Sequence, residues 1–262
     1  MNIVVCIKQV PDTTEIKIDP VKNTLIRQGV PSIMNPFDKN ALETALRLKD
    51  TYGGRVVAIS MGPQQAKAVL REAISMGADE GYLITDRAFG GSDTYATSYI
   101  LSQAIEKLGP FDVILGGKQA IDGDTGQTAP SIAEHLGATR LTYVLDLKVE
   151  GDKVIARRQV EEGIEVIETS FPVLCTATKE SNKPRYATVS RKLYSLRCDI
   201  PELTFADFPD IDTSKIGLKG SPTKVKATFT PKRTATGVTI EGSSPAEIAG
   251  SLISKLTEAK VL

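Results

Sequence analysis

Through its first 140 residues the chain alternates short runs of Val, Ile and Leu with longer stretches whose apolar residues recur at helical spacing, which narrows the fold more than any other feature. Strand-like segments fall at residues 3–7, 55–61, 81–85 and 112–115, each ended by Gly, Pro, Asp or polar residues. A first helix over residues 38–51 carries Ala41, Leu42, Ala45, Leu46 and Leu48 on one side and stops at Gly53 and Gly54. A second starts near Pro63, carries Ala66, Val69, Leu70, Ala73 and Ile74, and stops at Gly77. A third, capped by Ser92 or Asp93, presents Ala96, Tyr99, Ile100, Ala104 and Leu108 before Gly109 and Pro110. This pattern predicts an α/β fold: a Rossmann-like parallel sheet with helices on both faces and a ligand crevice beyond the C-terminal strand ends.

From residue 143 to 177 apolar and polar residues alternate, which predicts a β-meander with turns at Glu150, Gly151 and Asp152 and at Glu161, Glu162 and Gly163. Beyond Thr178 the chain turns polar and irregular, and Pro201, Pro209, Pro222 and Pro231 keep it extended. Helical spacing returns over residues 244–260 at Ile248, Ala249, Leu252, Ile253 and Leu256. The expected organisation is a nucleotide-binding α/β domain over residues 1–190, meander included, followed by an extended C-terminal arm over 191–262 that ends in a helix and packs on a partner chain.

Composition removes several function classes. Lys plus Arg and Asp plus Glu both number 32, so no global field attracts nucleic acid or an acidic membrane, and any anion site must be local. The absence of Trp and an aromatic content of 5% leave no base-stacking platform. His135 stands alone near a predicted helix end, which excludes multi-histidine metal centres and reads as a surface residue. Cys6, Cys175 and Cys198 are odd in number and lack metal-ligand spacing, which suits a reducing, cytoplasmic compartment. The first apolar run meets Lys8 too early for a signal peptide or a membrane span.

The segment DVILGGKQAIDGDTGQT, residues 112–128, reads as a buried strand running into a glycine-punctuated loop that opens a helix near Gln127. Free amides and the positive dipole end at such a helix start favour an anion, and Thr125, Gln127 and Thr128 add neutral donors. Asp122 and Asp124 must face away from a phosphate; backbone capping or hydroxyl contacts are favoured over a DxD metal pair. The turn of Asn35, Pro36, Phe37 and Asp38 precedes the first helix, and Asn35 or Asp38 can cap it.

Several further segments carry a resemblance: NPFDKNALE at 35–43, SMGP at 60–63, SMGADEGYLI at 75–84, GGSDT at 90–94, GKQAIDGDTGQ at 117–127, FPVLCTA at 171–177, PRYAT at 184–188 and SPTKV at 221–225. Together they resemble the β subunit of electron-transfer flavoproteins, from Met1 through at least Thr230. The resemblance implies a heterodimer with an α subunit in which electrons pass through bound flavin. Three thiols without a CxxC pair make no dithiol shuttle, so a redox role demands a cofactor. The family's β-subunit nucleotide is AMP in the conventional branch or a second FAD in the electron-bifurcating branch that uses NADH. The compact DGDTGQ at 122–127, and Asp38 where conventional relatives often carry cysteine, favour FAD with AMP as the alternative.

Carried onto matching positions, cofactor contacts are expected from Cys6, from Asn35, Pro36, Phe37 and Asp38, from Met61, and from Gln119, Ala120, Ile121, Asp122, Gly123, Asp124, Thr125, Gly126, Gln127 and Thr128. No catalytic side chain and no metal ligand is implied. Pro184, Arg185, Tyr186, Ala187 and Thr188 resemble the family's docking loop for an acyl-CoA or other flavin-containing dehydrogenase; the usual leucine anchor is replaced by Val189. Arg185, Arg191, Lys192 and Arg197 are candidates for a basic rim. Ferredoxin or flavodoxin is the implied second acceptor. A different class of reading makes the chain a free-standing ATP-using enzyme of similar fold, with Asp122 and Asp124 holding magnesium, and a third makes it a nucleotide-stabilised assembly subunit.

Overall fold

The computed structural model describes residues 1–12, 31–227 and 237–262, so Thr230 and Pro231 lie outside the described residues. Two compact units are present, Met1–Lys226 and Ala227–Leu262. The first contains, in chain order, β1 (Asn2–Cys6), β2 (Gln9–Pro11), β3 (Ser32–Met34), α1 (Pro36–Tyr52), β4 (Arg55–Met61), α2 (Lys67–Met76), β5 (Glu80–Ile84), α3 (Thr94–Leu108) and β6 (Val113–Gly117). It continues with α4 (Thr128–Leu136), β7 (Thr139–Glu150), β8 (Lys153–Val160), β9 (Gly163–Ser170), β10 (Val173–Ala177), α5 (Val189–Arg197), β11 (Glu202–Leu203) and α6 (Gly217–Gly220). The second unit holds α7 (Pro245–Glu258).

One nine-stranded sheet runs in the order β11-β5-β4-β1-β6-β10-β7-β8-β9. Every pair from β11 to β7 is parallel, and β8 and β9 are antiparallel. The chain passes from β1 outward to β4 and β5, then crosses back to lay β6 on the other side of β1. That reversal is a topological switch point, and a crevice opens beyond the ends of β1 and β6. Strand residues alternate between two cores. Ile3, Val5, Val56, Ala58, Val113 and Leu115 meet α1 and α2, while Val4, Val57, Ile59 and Ile114 meet α3 and α4. Burial on both faces is why these strands are near-continuous apolar runs.

Helix boundaries follow local chemistry. Asp93 caps α3, its side chain accepting from Ala96 N at 3.1 Å, and Ser92 instead donates to the Phe89 carbonyl. Gly77 ends α2 at φ 142°, a backbone region closed to residues with a Cβ. In the second unit Ser244 caps α7, accepting from Glu247 N at 3.3 Å. Its Ile248, Leu252 and Ile253 form a stripe that a single helix cannot bury by itself. Among the described residues no helix is long and apolar enough to cross a membrane.

Two expectations need correction. The meander comprises β7, β8 and β9 with turns where expected, but residues 173–177 leave it and insert between β6 and β7, parallel to both. All five residues of β10 are buried, so VLCTA is a strand covered on both faces rather than an alternating edge. Residues 191–226 do not form an extended arm, since the first compact unit continues through Lys226. Helix α5 packs on α2, with Arg71 Nη1 donating to the Ser195 and Cys198 carbonyls at 2.7 and 3.0 Å, and β11 extends the sheet beside β5. Phe208, Ile211 and Ile216 then join the α3 side of the core. Their irregular spacing carries no period, so their burial becomes visible only once the sheet edge exists to receive them.

Candidate functional site

Hydrogen bonding assembles the crevice from three separated segments. At the C-terminal end of β1, Ile7 N donates to Ile59 O of β4 at 2.8 Å, and the chain turns away at Lys8. At the end of β6, Lys118 N donates to Ala177 O of β10 at 2.8 Å. The turn before α1 bridges them. Asn35 is fully buried; its main-chain N donates to Lys8 O at 2.9 Å, its Nδ2 donates to Gln119 O at 2.8 Å, and its Oδ1 accepts from Ile121 N at 3.3 Å. Asp38 accepts from Lys8 N at 2.7 Å and from Gly117 N at 3.0 Å. Neither residue caps α1 with its side chain as the local pattern predicted, because both side chains are engaged across the crevice. Tertiary donors of fixed position outcompeted the local ones.

Gly117 is required by this contact. A Cβ there would sit 2.4 Å from Asp38 Oδ1 and 2.6 Å from Phe37 Cβ, far inside van der Waals contact. Asp38 is 6% exposed, and burial pushes its carboxyl up to about 7, against the lowering effects of the Lys8 amide, the Asn35 side chain, the Gly117 amide and the Lys8 ammonium. Cys6 ends β1 beside it; burial, with a smaller contribution from Asp38, pushes its thiol up to about 12. Burial raises Cys175 to about 12 as well. Both stay protonated at neutral pH and present no nucleophilic thiolate. Met61 closes β4 two residues beyond Ile59, the register partner of Cys6, on the same edge of the sheet.

The loop from Gln119 to Thr128 hangs from β6. Asp124 at φ 50° and Gly126 at φ 62° turn it tightly, and Gly123 has open space where a Cβ would be. Asp122 pairs with Lys8 Nζ at 2.6 Å and Asp124 accepts from Gln119 Nε2 at 2.8 Å. Neither carboxylate caps α4, which corrects the capping part of that expectation, and one oxygen of Asp122 is engaged by Lys8. Among the described residues no group of three or more His, Cys, Asp or Glu side chains could hold a metal. No side chain caps α4, and Thr125, Gln127 and Thr128 make no side-chain hydrogen bond to another described residue. A nine-residue helix therefore presents N-terminal amides without a side-chain cap, flanked by three side chains that have no partner among the described residues. Helix amides of this kind favour an anionic group.

The docking-loop candidates lie along the flank of α1. Arg185 donates to Glu43 through its main-chain N at 3.1 Å and its Nε at 2.8 Å, and to Asp50 through Nη2 at 2.8 Å. Burial alone would raise Glu43, but Arg185 and Arg47 hold its carboxyl below the ordinary range. Thr188 caps α5, accepting from Arg191 N at 3.2 Å, and Arg191 Nη2 donates to the carbonyls of Ile74 and Ala78, each at 2.8 Å. Arg185 and Arg191 are thus engaged within the chain, which leaves Lys192 and Arg197 as the exposed candidates for the basic rim. Tyr186 and Val189 project outward, 97% and 79% exposed, with Ala187 exposed between them and Pro184 half-buried at the base. The segment expected to be irregular after Thr188 is α5, whose exposed Leu193 and Leu196 extend that apolar surface.

Reading the residues alone missed Lys8 and Glu43. The signal for Glu43 was faint: a charged residue among the apolar positions of α1. His135 sits in the last turn of α4 against Tyr95 and Tyr99, ring centroids 5.6 Å away in each case, and burial lowers its pKa, in keeping with a packing role. A cavity of about 290 Å³ between α1 and β7, lined by Thr44, Arg47, Leu48 and Asp146 among others, contains none of the expected cofactor contacts.

Comparison with known proteins agrees with the geometry. Residues 22–205 match the electron transfer flavoprotein domain. The chain is 54% identical over 258 residues to an electron transfer flavoprotein subunit beta of Clostridium acetobutylicum, covering 98% of each, and 51% identical to the same subunit of Megasphaera elsdenii over the whole of both. It is also 49% identical over the full length of both to CarD, a caffeyl-CoA reductase-Etf complex subunit of Acetobacterium woodii. The chain belongs to the family of electron transfer flavoprotein β subunits.

Proposed function

We propose that this chain is the β subunit of an electron-bifurcating flavoprotein, holding FAD in the β1/β6 crevice and passing electrons from NADH to a ferredoxin or flavodoxin and, through the α-subunit flavin, to a dehydrogenase. The observation that carries the reading is the loop from Gln119 to Thr128, which sets at the switch point a helix start without a side-chain cap and donors without partners among the described residues. Gly126 and Thr125 let main chain and hydroxyl approach a pyrophosphate, while Asn35 and Asp38 hold the loop against β1. Cys6, Pro36, Phe37 and Met61 bring small and apolar surface to the same sheet edge. A flavin bound here supplies two-electron uptake and single-electron release, which none of the chain's side chains provides.

The compact Asp122 to Gln127 turn supports FAD over AMP. The relative from Acetobacterium woodii, named as a subunit of a complex with a reductase, supports docking of a flavin-containing acyl-CoA dehydrogenase or reductase. The exposed Tyr186 and Val189, held on the Arg185 and Thr188 anchors, form that docking surface, and α7 offers its apolar stripe to the α subunit. The test is the nucleotide released on denaturing the purified heterodimer. Two FAD per pair and no AMP is the expected result; AMP with a single FAD would replace this reading with the conventional subunit.

A further inference from the structure

One buried carboxylate ties together the two strand ends that flank the crevice. Lys8 lies just past β1 and Gly117 is the last residue of β6; their main-chain N–H groups converge on Asp38 from opposite sides, at 2.7 and 3.0 Å. The missing Cβ of Gly117 leaves room for that approach and no more. The donors are neutral amides. The titratable groups that bear on Asp38 are the Cys6 thiol from β1 and the Lys8 ammonium from the segment after it, and that ammonium is engaged with Asp122. Lys39, on α1 itself, pairs with Glu72, while Lys118 and Lys179 lie over the rings of Tyr143 and Phe37.

We propose that Asp38 is a proton-operated positioning residue: as a carboxylate it accepts both amides and holds the β1 and β6 ends ready for nucleotide, and as a neutral acid it keeps only one, so nucleotide affinity falls on acidification. A carboxylate offers acceptor sites on both oxygens, whereas a carboxylic acid turns one of them into a donor that faces an N–H. One strand end then loses its anchor, together with the loop that hangs from it. Burial pushes the carboxyl up to about 7 against the Lys8 ammonium, which is paired with Asp122, and this brings the change within the physiological range.

The inference rests on the nucleotide reading of the crevice, and the experiment separates the two. FAD affinity of the heterodimer is measured from pH 6 to pH 8.5, a range in which the pyrophosphate keeps its charge. Wild-type Kd is expected to rise about tenfold from pH 8 to pH 6, as one linked proton allows. Asp38→Asn, with a single acceptor oxygen, is expected to bind with a flat profile near the weak limit. Because that variant risks misfolding, the amide NMR signals of Lys8 and Gly117 are followed in the wild-type chain, where they are expected to titrate with one common midpoint near neutrality. A flat wild-type profile, an unchanged slope in Asp38→Asn, or unrelated midpoints would overturn the proposal while leaving the nucleotide reading intact. Failure of FAD and AMP to bind at any pH would overturn both.

Discussion

Helix α1 buries two carboxylates that meet different fates. Asp38, in its first turn, faces main-chain amides and is raised to about 7; Glu43, in its middle, faces the Arg185 guanidinium and is held below its usual range. Both residues are little exposed, 6% and 4%, but burial dominates at Asp38, whose nearest donors are amides, whereas at Glu43 the Arg185 and Arg47 side chains outweigh it. Neutral amides satisfy the oxygens without offsetting the cost of removing a charge from water, whereas a guanidinium does both. The first turn of the helix is therefore sensitive to protons near neutrality, while its middle is not.

The largest expected effect tests whether the crevice contact is obligatory. Gly117→Ala puts a Cβ 2.4 Å from Asp38 Oδ1, and overpacking of that kind should cost about 3 kcal/mol, read as a lower urea midpoint. Next comes pH. A folded-state pKa near 7 against an ordinary 3.8 means the folded chain holds the extra proton between those values. Its stability contribution is therefore present on the acid side and lost as pH rises through about 7. The nucleotide-free chain should be roughly 2 kcal/mol more stable at pH 5.5 than at pH 8 through this group, and Asp38→Asn should flatten that slope. Glu43 works in the opposite sense: its contribution is present above the ordinary carboxylate range and fades only below it, so it adds no slope between those pH values.

Glu43→Gln should cost about 1.5 kcal/mol, the low end for a charged hydrogen bond because Arg185 is a third exposed and keeps Asp50. Electron transfer to the dehydrogenase should slow while nucleotide content stays unchanged; loss of nucleotide instead would show that the two ends of α1 are not separable. The smallest effect is at Thr188→Ala, which removes the α5 cap for about 1 kcal/mol, visible as faster amide exchange confined to α5.

Much of the parallel half was legible because its signals are local. The strand at Arg55–Met61 matches residue for residue, Gly77 stops α2, and Asp93 caps α3, since strand burial, a left-handed stop and an N-cap are each written within a few residues. The site was legible as a set of segments but not as a mechanism. Asn35 and Asp38 looked like caps because that is what such residues do for their own helix, and only the arrival of β1 and β6 gave them better partners. The same limit hid β10, whose buried run resembles one more meander strand until the sheet order is known, and the core residues after Ile200, which follow no period.

Composition, periodicity and the run from Gly117 to Gln127 thus determined by themselves an alternating α/β chain with a glycine-rich loop opening a helix at a strand end. Tertiary structure alone decided that β10 closes the sheet centre, that residues 191–226 complete the body, and that one carboxylate of α1 faces amides while the other faces a guanidinium. The physical reason is range. Propensity and capping act over a few residues, but a carboxyl's hydration, partners and protonation depend on groups 30 to 142 positions away in the chain.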